Sequence, residues 1–450
     1  MTTKQTLALL RRFESRNITH IERGGSWPIV WERAKGVHVW DAEGRKYLDL
    51  TAAFGVMAAG HANPRVIRAG QRQMAKLLHA MGDVHPHALK AELAREFSRI
   101  TFERWLVGAD VRRRSGKVIC APCLLTSAPT AKTIFCNSGF EAVEAALKTA
   151  LLATGKHGVI AFEGAYHGTG YGALNATHRG HFSDPFRAQL GKFGHFAPFP
   201  DSVSDLVLVE KSVRKLYRQH RIGAVLVEPV QGRAGIRVPP PEFLPMLRTL
   251  CDRHGALLVL DEIYTGFGRT GRWFACEHSG VAPDIVCLGK ALAGGFPLSA
   301  CVGRADVMDA AWPKSSGEAI HTSTFLGHPV GCAMAMTQIG ELRRGKLVER
   351  SAKLGRWLLS ALQSEISNLK FEINVRGLGL MAGVELRRRD GSPATEEAMA
   401  AVKAMLRRGF IVLPEGEFAN VISFTPPLTI TETQLRAAVR AFADELRRLP

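Results

Sequence analysis

The sequence predicts an α/β protein: a large domain with a mainly parallel sheet covered by helices, and a smaller α+β domain beside it. Short apolar runs of strand length alternate with helix-like stretches in the middle of the chain, which is typical of a parallel sheet. These runs are apolar on both faces, as expected for strands that helices cover from both sides. The chain has 450 residues, which is enough for two or more domains.

Five apolar runs are predicted as strands of this sheet. Each run leads directly into distinctive polar or ionisable residues at its carboxyl end, which is the edge where open α/β sheets bind ligands. The five runs are residues 133–136, 159–162, 224–227, 256–260 and 285–288.

Two helices are predicted between the strands. Residues 140–154 are rich in Ala, Leu, Glu and Lys, and residues 241–254 carry apolar side chains at helical spacing. Each stretch is followed by a glycine, Gly155 or Gly255, which is the residue type that most often ends a helix.

The two ends of the chain are predicted to form the smaller domain together. A hairpin is expected within residues 37–50, and from about residue 331 a long helix leads into an α+β tail. We therefore assign residues 1–64 and 331–450 to the small domain and residues 65–330 to the large domain.

Composition argues against several classes of function. The formal net charge of +18 comes mostly from scattered arginines, without the basic tail or aromatic-basic interleaving of a nucleic-acid binder. No apolar run approaches the length of a membrane span, and the N-terminus lacks the apolar core of a signal peptide. We expect a cytoplasmic protein with no nucleic-acid or membrane partner, whose charge helps to attract anionic substrates.

The eight cysteines indicate a reduced protein. Cys136, Cys287 and Cys301 lie inside apolar segments, which is typical of core thiols in the cytoplasm. Cys120 and Cys123 form a lone CxxC without a second pair or a nearby histidine, so we expect no metal site.

Asp261 and Lys290 are the most informative residues. Each lies at the end of an apolar run, so both are expected at one crevice at the carboxyl edge of the sheet. Pyridoxal phosphate needs a lysine amine for a Schiff base and a buried aspartate for its pyridine nitrogen. Taken singly, Asp261 could instead cap a helix or pair with Arg269 or Arg272. The spaced pair predicts catalysis with pyridoxal phosphate.

The segment Asn137-Ser138-Gly139-Phe140-Glu141 is predicted to open a helix. Ser138 and Glu141 have the spacing of a capping box, and Gly139 allows close approach of the backbone. A helix N-terminus with free N–H groups is well suited to bind a phosphate. A capped helix without this function would look the same, so its position in the array of strand ends decides the interpretation.

A second loop, Tyr166-His167-Gly168, follows another predicted strand. An aromatic side chain at this edge can stack on a flat cofactor ring. Both Tyr166 and His167 are equally compatible with structural roles inside the domain.

Together these motifs resemble the class III (ω-type) aminotransferases, which are pyridoxal-phosphate enzymes of fold type I. They follow the order of the family and cover nearly the whole chain. The motifs are NSGFEAVEAALK from Asn137, YHG from Tyr166, EPVQG from Glu228, LDEIYTGFGRTG from Leu260, PDIVCLGK from Pro283, HTSTFLGHP from His321, RGLGLM from Arg376 and FTPPLTI from Phe424.

The resemblance implies a role for each matching residue. Lys290 would carry the Schiff base and move the proton between Cα and C4′, and Asp261 would pair with the pyridine nitrogen. The other residues that it assigns to cofactor binding are Ser138, Gly139 and Phe140 at the phosphate, Tyr166 on the ring, and His167, Glu228, Tyr264 and Thr324.

Two of these assignments imply more than contact. Thr324 matches a threonine that completes the phosphate site from the neighbouring subunit, which implies a homodimer with shared active sites. Tyr264 occupies the position of a glutamine that reaches the cofactor's 3′-oxygen in some relatives.

The chain departs from the family pattern at three places. Two lie on the substrate side of the site, and the third is an insertion. Relatives that handle α-amino acids often have an arginine where this chain has Ser423, and a glutamate where it has Arg233. This argues against an ornithine- or acetylornithine-type substrate mode and suggests Arg233 as a relocated carboxylate anchor. Residues 112–131, which include the CxxC, look like an insertion and receive no function.

The expected function is a pyridoxal-phosphate-dependent transamination. It moves an amino group from an amine or amino acid, such as an ω-amino compound, to a 2-oxo acid through a Lys290 Schiff base. An aminomutase or a decarboxylase on the same scaffold is the alternative, and an aminomutase would need no separate acceptor. A non-catalytic ligand-binding or regulatory protein is the third hypothesis, which the retained Lys290 and Asp261 argue against.

Overall fold

The structure is a computed structural model that describes residues 1–22, 27–105, 130–366 and 369–449. The predicted insertion at 112–131, with Cys120 and Cys123, falls almost entirely outside the described residues. The strands are β1 (Trp31–Lys35), β2 (His38–Asp41), β3 (Lys46–Asp49), β4 (Ala131–Cys136), β5 (Gly158–Phe162), β6 (Gly194–Ala197), β7 (Ile222–Val227), β8 (Leu257–Asp261), β9 (Ile285–Leu288), β10 (Ser299–Arg304), β11 (Glu372–Leu378), β12 (Met381–Arg387), β13 (Phe410–Ile411), β14 (Leu413–Glu415) and β15 (Val421–Phe424).

Helices connect and cover these strands. The α-helices are α1 (Thr3–Phe13), α2 (Ala52–Gly55), α3 (Pro64–Lys76), α4 (Ala88–Ile100), α5 (Gly139–Thr154), α6 (Tyr171–Leu174), α7 (Gly180–Ser183), α8 (Leu206–Gln219), α9 (Phe243–His254), α10 (Ala305–Ala311), α11 (Pro329–Arg344), α12 (Leu347–Ile366), α13 (Thr395–Arg407) and α14 (Glu432–Arg448). Short 3-10 helices lie at Asp184–Gln189, Val203–Asp205, Ala275–His278 and Lys290–Leu292. In no described segment is a helix both long and apolar enough to cross a membrane.

The central sheet has seven strands in the order β4-β10-β9-β8-β7-β5-β6. The five predicted strands are β4, β5, β7, β8 and β9, and the pairings among the last four are parallel. Strand β10 is antiparallel to both β4 and β9, so β4 runs in the same direction as β9. The predicted strands are confirmed, and the sequence misses only β6 and β10 of this sheet.

Helices bury both faces of the sheet, which explains the uniformly apolar strands. Val159 and Ala161 of β5 pack in one core cluster with residues of α5, such as Val143. Ile160 and Phe162 face the other way and pack in the main core. Because successive strand residues point to opposite faces, both faces of β5 must be apolar.

The two ends of the chain meet in a second sheet. Strands β2 and β3 form the predicted hairpin, and β13, from the C-terminal part, pairs with β3 in parallel. A third sheet has the order β11-β12-β15-β14. These pairings agree with a small domain built from both ends, although the boundaries at 64/65 and 330/331 stay predictions.

Candidate active site

Lys290 and Asp261 lie at the same edge of the central sheet. Asp261 ends β8, and Lys290 comes two residues after the neighbouring strand β9. The Lys290 amine lies 4.2 Å from the centre of the Tyr264 ring. Burial lowers the pKa of Lys290, an effect that the carboxylates of Asp261 and Glu228 oppose. A lowered pKa favours the uncharged amine, which is the form that acts as a nucleophile or a base.

A buried histidine holds the Asp261 carboxylate. The His167 Nδ1 atom lies 2.7 Å from Asp261 Oδ2, and the Ile263 amide donates to Asp261 Oδ1 at 3.1 Å. Asp261 is 5% exposed and His167 is 2% exposed. The described residues give Asp261 no ion pair with Arg269, which binds backbone carbonyl oxygens instead. The carboxylate is therefore oriented by His167 and by its own loop.

Glu228, directly after β7, joins two loops of the site. Its Oε1 atom accepts a hydrogen bond from the Tyr166 amide at 3.1 Å, and its Oε2 atom accepts one from the Gly232 amide at 3.0 Å. Burial raises the pKa of Glu228 to about 7. Glu228 thereby positions Tyr166 and Gly232 relative to each other.

The first turn of α5 offers hydrogen-bond donors. Its first amide groups have no partner within the helix, and the Ser138 hydroxyl is buried without a partner among the described residues. The expected capping box is wrong, because Ser138 makes no side-chain cap and Glu141 Oε2 accepts from the Asn137 amide at 2.7 Å. The Ser299 hydroxyl donates to the Ser138 carbonyl at 2.6 Å, which fixes the turn from β10.

The loop after β5, which carries Tyr166, packs on α5 at Phe140. A Cβ atom at Gly168 would lie 2.4 Å from the Phe140 Cβ, so a glycine is needed for this close approach. Tyr166 packs edge-on against Phe182 with ring centres 5.1 Å apart. The Cζ atom of Arg233 lies 5.2 Å from the centre of the Tyr166 ring. The predicted carboxylate anchor therefore adjoins the predicted stacking residue.

Tyr264 is enclosed by two glycines. A Cβ atom at Gly55 would lie 2.4 Å from Tyr264 Cε2, and one at Gly232 would lie 2.5 Å from Cδ1. The Tyr264 hydroxyl donates to Thr425 Oγ1 at 3.1 Å. Burial raises the pKa of Tyr264 to about 12, so the phenol keeps its proton.

Sequence reasoning misses one charged residue of this site, Glu415. Its side chain, at the end of β14, is 6% exposed. Burial raises its pKa, and the positive charges that oppose this effect belong to Arg233, Lys290 and Arg179. The signal in the sequence is weak, because Pro414 and the following glycine make the segment resemble a turn.

Ser423 and Thr324, which the sequence also assigns to the site, differ in their exposure to solvent. Ser423 is buried, and its hydroxyl donates to the Leu413 carbonyl at 3.2 Å inside the third sheet. Thr324 lies on the exposed loop before α11. The structure thus brings Ser423 near β14 but leaves Thr324 at the surface of the chain.

The described residues fit pyridoxal phosphate. The unpartnered Ser138 hydroxyl and the free amides at the start of α5 suit a phosphate. Asp261 supplies a buried carboxylate for a ring nitrogen, and Lys290 supplies the amine. In the described ranges, no group of His, Cys, Asp and Glu side chains is arranged to hold a metal ion.

Comparisons with known proteins agree with this assignment. The family model described as "Aminotransferase class-III" matches residues 21–446. The chain is 36% identical over 428 residues to 5-aminovalerate aminotransferase DavT of Pseudomonas aeruginosa, covering 93% of each chain. It is 38% identical to acetylornithine aminotransferase of Methanopyrus kandleri, covering 95% of this chain and 97% of the relative. A Bacillus anthracis aminotransferase structure superposes with a TM-score of 0.85 at 25% identity, covering 100% of both chains.

Proposed function

Since this chain belongs to the class-III aminotransferases, which use pyridoxal phosphate to pass an amino group to a 2-oxo acid, we propose that Lys290 is its catalytic base and that its donor is an ω-amino compound. The observation that carries the first proposal is the Lys290 amine, with a lowered pKa, beside the buried pair of Asp261 and His167. The second rests on relatives named for 5-aminovalerate and acetylornithine.

Each residue of the site then has a defined task. When bound, pyridoxal phosphate supplies an electron-withdrawing ring that stabilises the charge left on the donor carbon. The Lys290 Nζ atom would take the proton from the donor carbon and hold it for its return. Asp261 would hold the ring nitrogen, and His167 keeps this carboxylate in place. The turn formed by Ser138, Gly139 and Phe140 would hold the phosphate.

The remaining assignments concern the ring of the cofactor. Tyr166 would stack on it, and Glu228 holds the Tyr166 amide in position. Tyr264 packs beside Lys290 and would border the ring of the cofactor. These contacts would fix the orientation of the ring relative to Lys290.

A homodimer with shared active sites completes the proposal. It is supported by exposed apolar side chains on two segments, the loop before α4 and the loop that contains Thr324. Leu78 and Met81 on the first segment are 58% and 55% exposed, and Phe325 on the second is 55% exposed. A patch of this kind typically marks an association surface. Light scattering should give twice the mass of the chain, and Met81→Lys should shift the particle toward a monomer with lower activity. A wild-type monomer with full activity would contradict the proposal.

Replacement of Lys290 tests the catalytic assignment. Lys290→Ala should lose the visible absorption band of the lysine-linked cofactor and all measurable amino transfer, because the amine that forms the Schiff base is removed. The matched control is Lys353→Ala, an exposed lysine on α12, which should keep both. Persistent turnover in Lys290→Ala would exclude Lys290 as the base.

A further inference from the structure

A basic groove runs along the solvent side of the contact between α3 and α11. The two helices pack closely, since Val66 of α3 joins Val330 and Met334 of α11 in one core cluster, and a Cβ atom at Gly70 would lie 2.8 Å from the Met334 Sδ atom. We call the cavity beside this contact the α3–α11 groove. It has a volume of about 430 Å³, and its lining includes four arginines and one carboxylate: Arg65, Arg68, Arg72, Arg344 and Glu341.

Glu341 neutralises only part of the charge in the α3–α11 groove. Its side chain forms ion pairs with Arg65, at 3.9 Å, and with Arg344. The Asn63 side-chain amide also donates to Glu341 at 3.2 Å. Glu341 thus holds two of the four arginines in place, and it forms no ion pair with Arg68 among the described residues.

Arg68 and Arg72 are exposed arginines without a partner. Neither forms an ion pair or a hydrogen bond within the part of the chain that the structure describes. Arg68 lies three residues after Arg65 and four before Arg72, so the three side chains project from the same side of α3, and like charges at these spacings repel each other. This repulsion is relieved when an anion binds between the guanidinium groups.

The adjacent Arg343 shows what a structurally paired arginine looks like on the same helices. It forms an ion pair with Glu96, and its Cζ atom lies 5.4 Å from the centre of the Trp273 ring. Arg343 therefore has both an acidic and an aromatic partner inside the chain. Arg68 and Arg72 have neither, which leaves their hydrogen-bond donors for a ligand.

The α3–α11 groove is separate from the apolar side of α3. The exposed apolar side chains of this helix are Ile67 and Met74, which are seven residues apart and therefore share one flank. With 3.6 residues per turn, Arg68 and Arg72 lie about 100° or more around the helix axis from both of them. A second subunit that covered the apolar flank would leave the arginines open to solvent.

The arrangement of the charges indicates the class of ligand. From Arg65 to Arg72 the row extends over seven residues, which is about 10 Å along the axis of α3, and Arg344 contributes a further charge from α11. A single phosphate or carboxylate group would reach only part of this row. Guanidinium groups bind pairs of phosphate oxygens with matched geometry, so several phosphates in a line fit the row best.

We propose that the α3–α11 groove binds a linear chain of phosphate groups, such as that of a nucleoside triphosphate or of inorganic triphosphate. Arg68 and Arg72 make the principal contacts, and Arg65 and Arg344, oriented by Glu341, bind the end of the chain. The inference goes beyond the proposed function and does not rest on it, because no residue of the groove takes part in amino transfer.

Calorimetric titration of the holoenzyme tests the groove while pyridoxal phosphate fills its own phosphate site. Inorganic triphosphate should bind with one site per chain, and rising ionic strength should weaken it. Orthophosphate and citrate should bind at least about tenfold more weakly, because they reach fewer arginines. ATP that binds as tightly as triphosphate identifies the phosphate chain as the whole ligand, and tighter ATP identifies a nucleotide; both results support the proposal.

Variants assign the binding to named side chains. Arg68→Gln and Arg72→Gln should each raise the Kd for triphosphate by about tenfold, and Arg72→Lys should keep part of the affinity because it keeps the charge. Arg218→Gln, at an exposed arginine of α8, removes the same charge elsewhere and should leave the Kd unchanged. Thermal unfolding of each variant without triphosphate checks that the fold is intact.

Three results would overturn the inference. If triphosphate does not bind, or if Arg218→Gln weakens it as much as Arg72→Gln does, the attraction belongs to the basic surface as a whole. If orthophosphate binds as tightly as triphosphate, the groove holds an adventitious ion only. If a single-stranded oligonucleotide binds through Arg68 and Arg72 more tightly than triphosphate, the groove is a nucleic-acid surface instead.

Discussion

The Nδ1 atom of His167 lies 2.7 Å from Oδ2 of Asp261, and both side chains are buried. Beside the carboxylate, Nδ1 carries the hydrogen atom and donates a hydrogen bond to Asp261 Oδ2. The loop after β5 and the end of β8 are thus linked by a side-chain contact in addition to the sheet. This hydrogen bond restricts the rotation of the Asp261 carboxylate. The proposed reaction requires that carboxylate in one orientation.

The first prediction concerns this pair. His167→Leu should lower kcat by about tenfold, as loss of a supporting partner typically does, whereas Asp261→Asn should lower it by about 10²–10³-fold because the charge itself is removed. Stopped-flow kinetics of the first half-reaction would measure both. His220→Leu, at a surface histidine stacked on His195, should be silent. Equal losses in His167→Leu and His220→Leu would refute the positioning role.

The second prediction concerns Lys290 in the protein without cofactor. Its pKa is lowered from an ordinary value of 10.5, so between the two pKa values the unfolded chain binds more protons than the folded chain. The lysine therefore destabilises the fold fully at pH values below its folded-state pKa, and this cost shrinks as the pH rises from there to 10.5. Urea unfolding should show that the stability difference between Lys290→Met and the wild type shrinks with rising pH. Lys353→Met should show no such trend, and a difference that grows with pH would contradict the assignment.

The third prediction separates cofactor binding from helix capping at Ser138. Its hydroxyl caps nothing in α5, so Ser138→Ala should change the stability of the cofactor-free protein by less than about 0.5 kcal/mol. The affinity for pyridoxal phosphate should fall by about tenfold, because a donor to the phosphate is lost.

Thr431 provides the contrast for this measurement. Its hydroxyl accepts from the Gln434 amide at 3.2 Å at the start of α14. Thr431→Ala should cost about 1 kcal/mol of stability and leave cofactor affinity unchanged. A destabilised Ser138→Ala with normal cofactor affinity would reverse the interpretation of the α5 turn.

The fourth prediction concerns the packing of Tyr264. Gly232→Ala would place a Cβ atom 2.5 Å from the ring, which is too close, so either the ring or the loop must move. We expect a stability loss of about 1–3 kcal/mol and a fall in kcat/KM, because the ring borders Lys290. Gly340→Ala, in the exposed part of α11 with no atom within 4 Å of the new Cβ, should stabilise by about 0.5–1 kcal/mol. Unchanged kinetics in Gly232→Ala would show that the position of the ring does not matter.

The sequence predicts the central strands and the convergence of Asp261 and Lys290 because uninterrupted apolar runs specify strands that are buried on both faces. It does not predict β6, since Gly194–Ala197 contains a glycine and a histidine and is only partly buried. Strand β10 is missed because it runs against its neighbours and only a short 3-10 helix separates it from β9, so it falls outside the expected alternation of strands and α-helices. Such a strand brings its first residue, Ser299, to the ligand edge of the sheet.

Residues that join the site through tertiary packing leave little local pattern. Phe182 lies in a short helix, and Glu415 lies at the end of a three-residue strand that contains a proline. Neither segment has the periodicity from which burial can be predicted. The capping box at Ser138 shows the opposite error, because the spacing is right but Glu141 bonds to Asn137 instead.

The hydrogen bonds around Tyr264 connect distant parts of the chain. Tyr264 donates to Thr425, and Thr425 donates to the Thr51 carbonyl at 3.2 Å. Because synthesis runs from the N-terminus, Asp261 and Lys290 are translated well before Thr425. The catalytic groups therefore exist in the nascent chain before their enclosure does, and the active site becomes complete only when nearly all of the chain has been made.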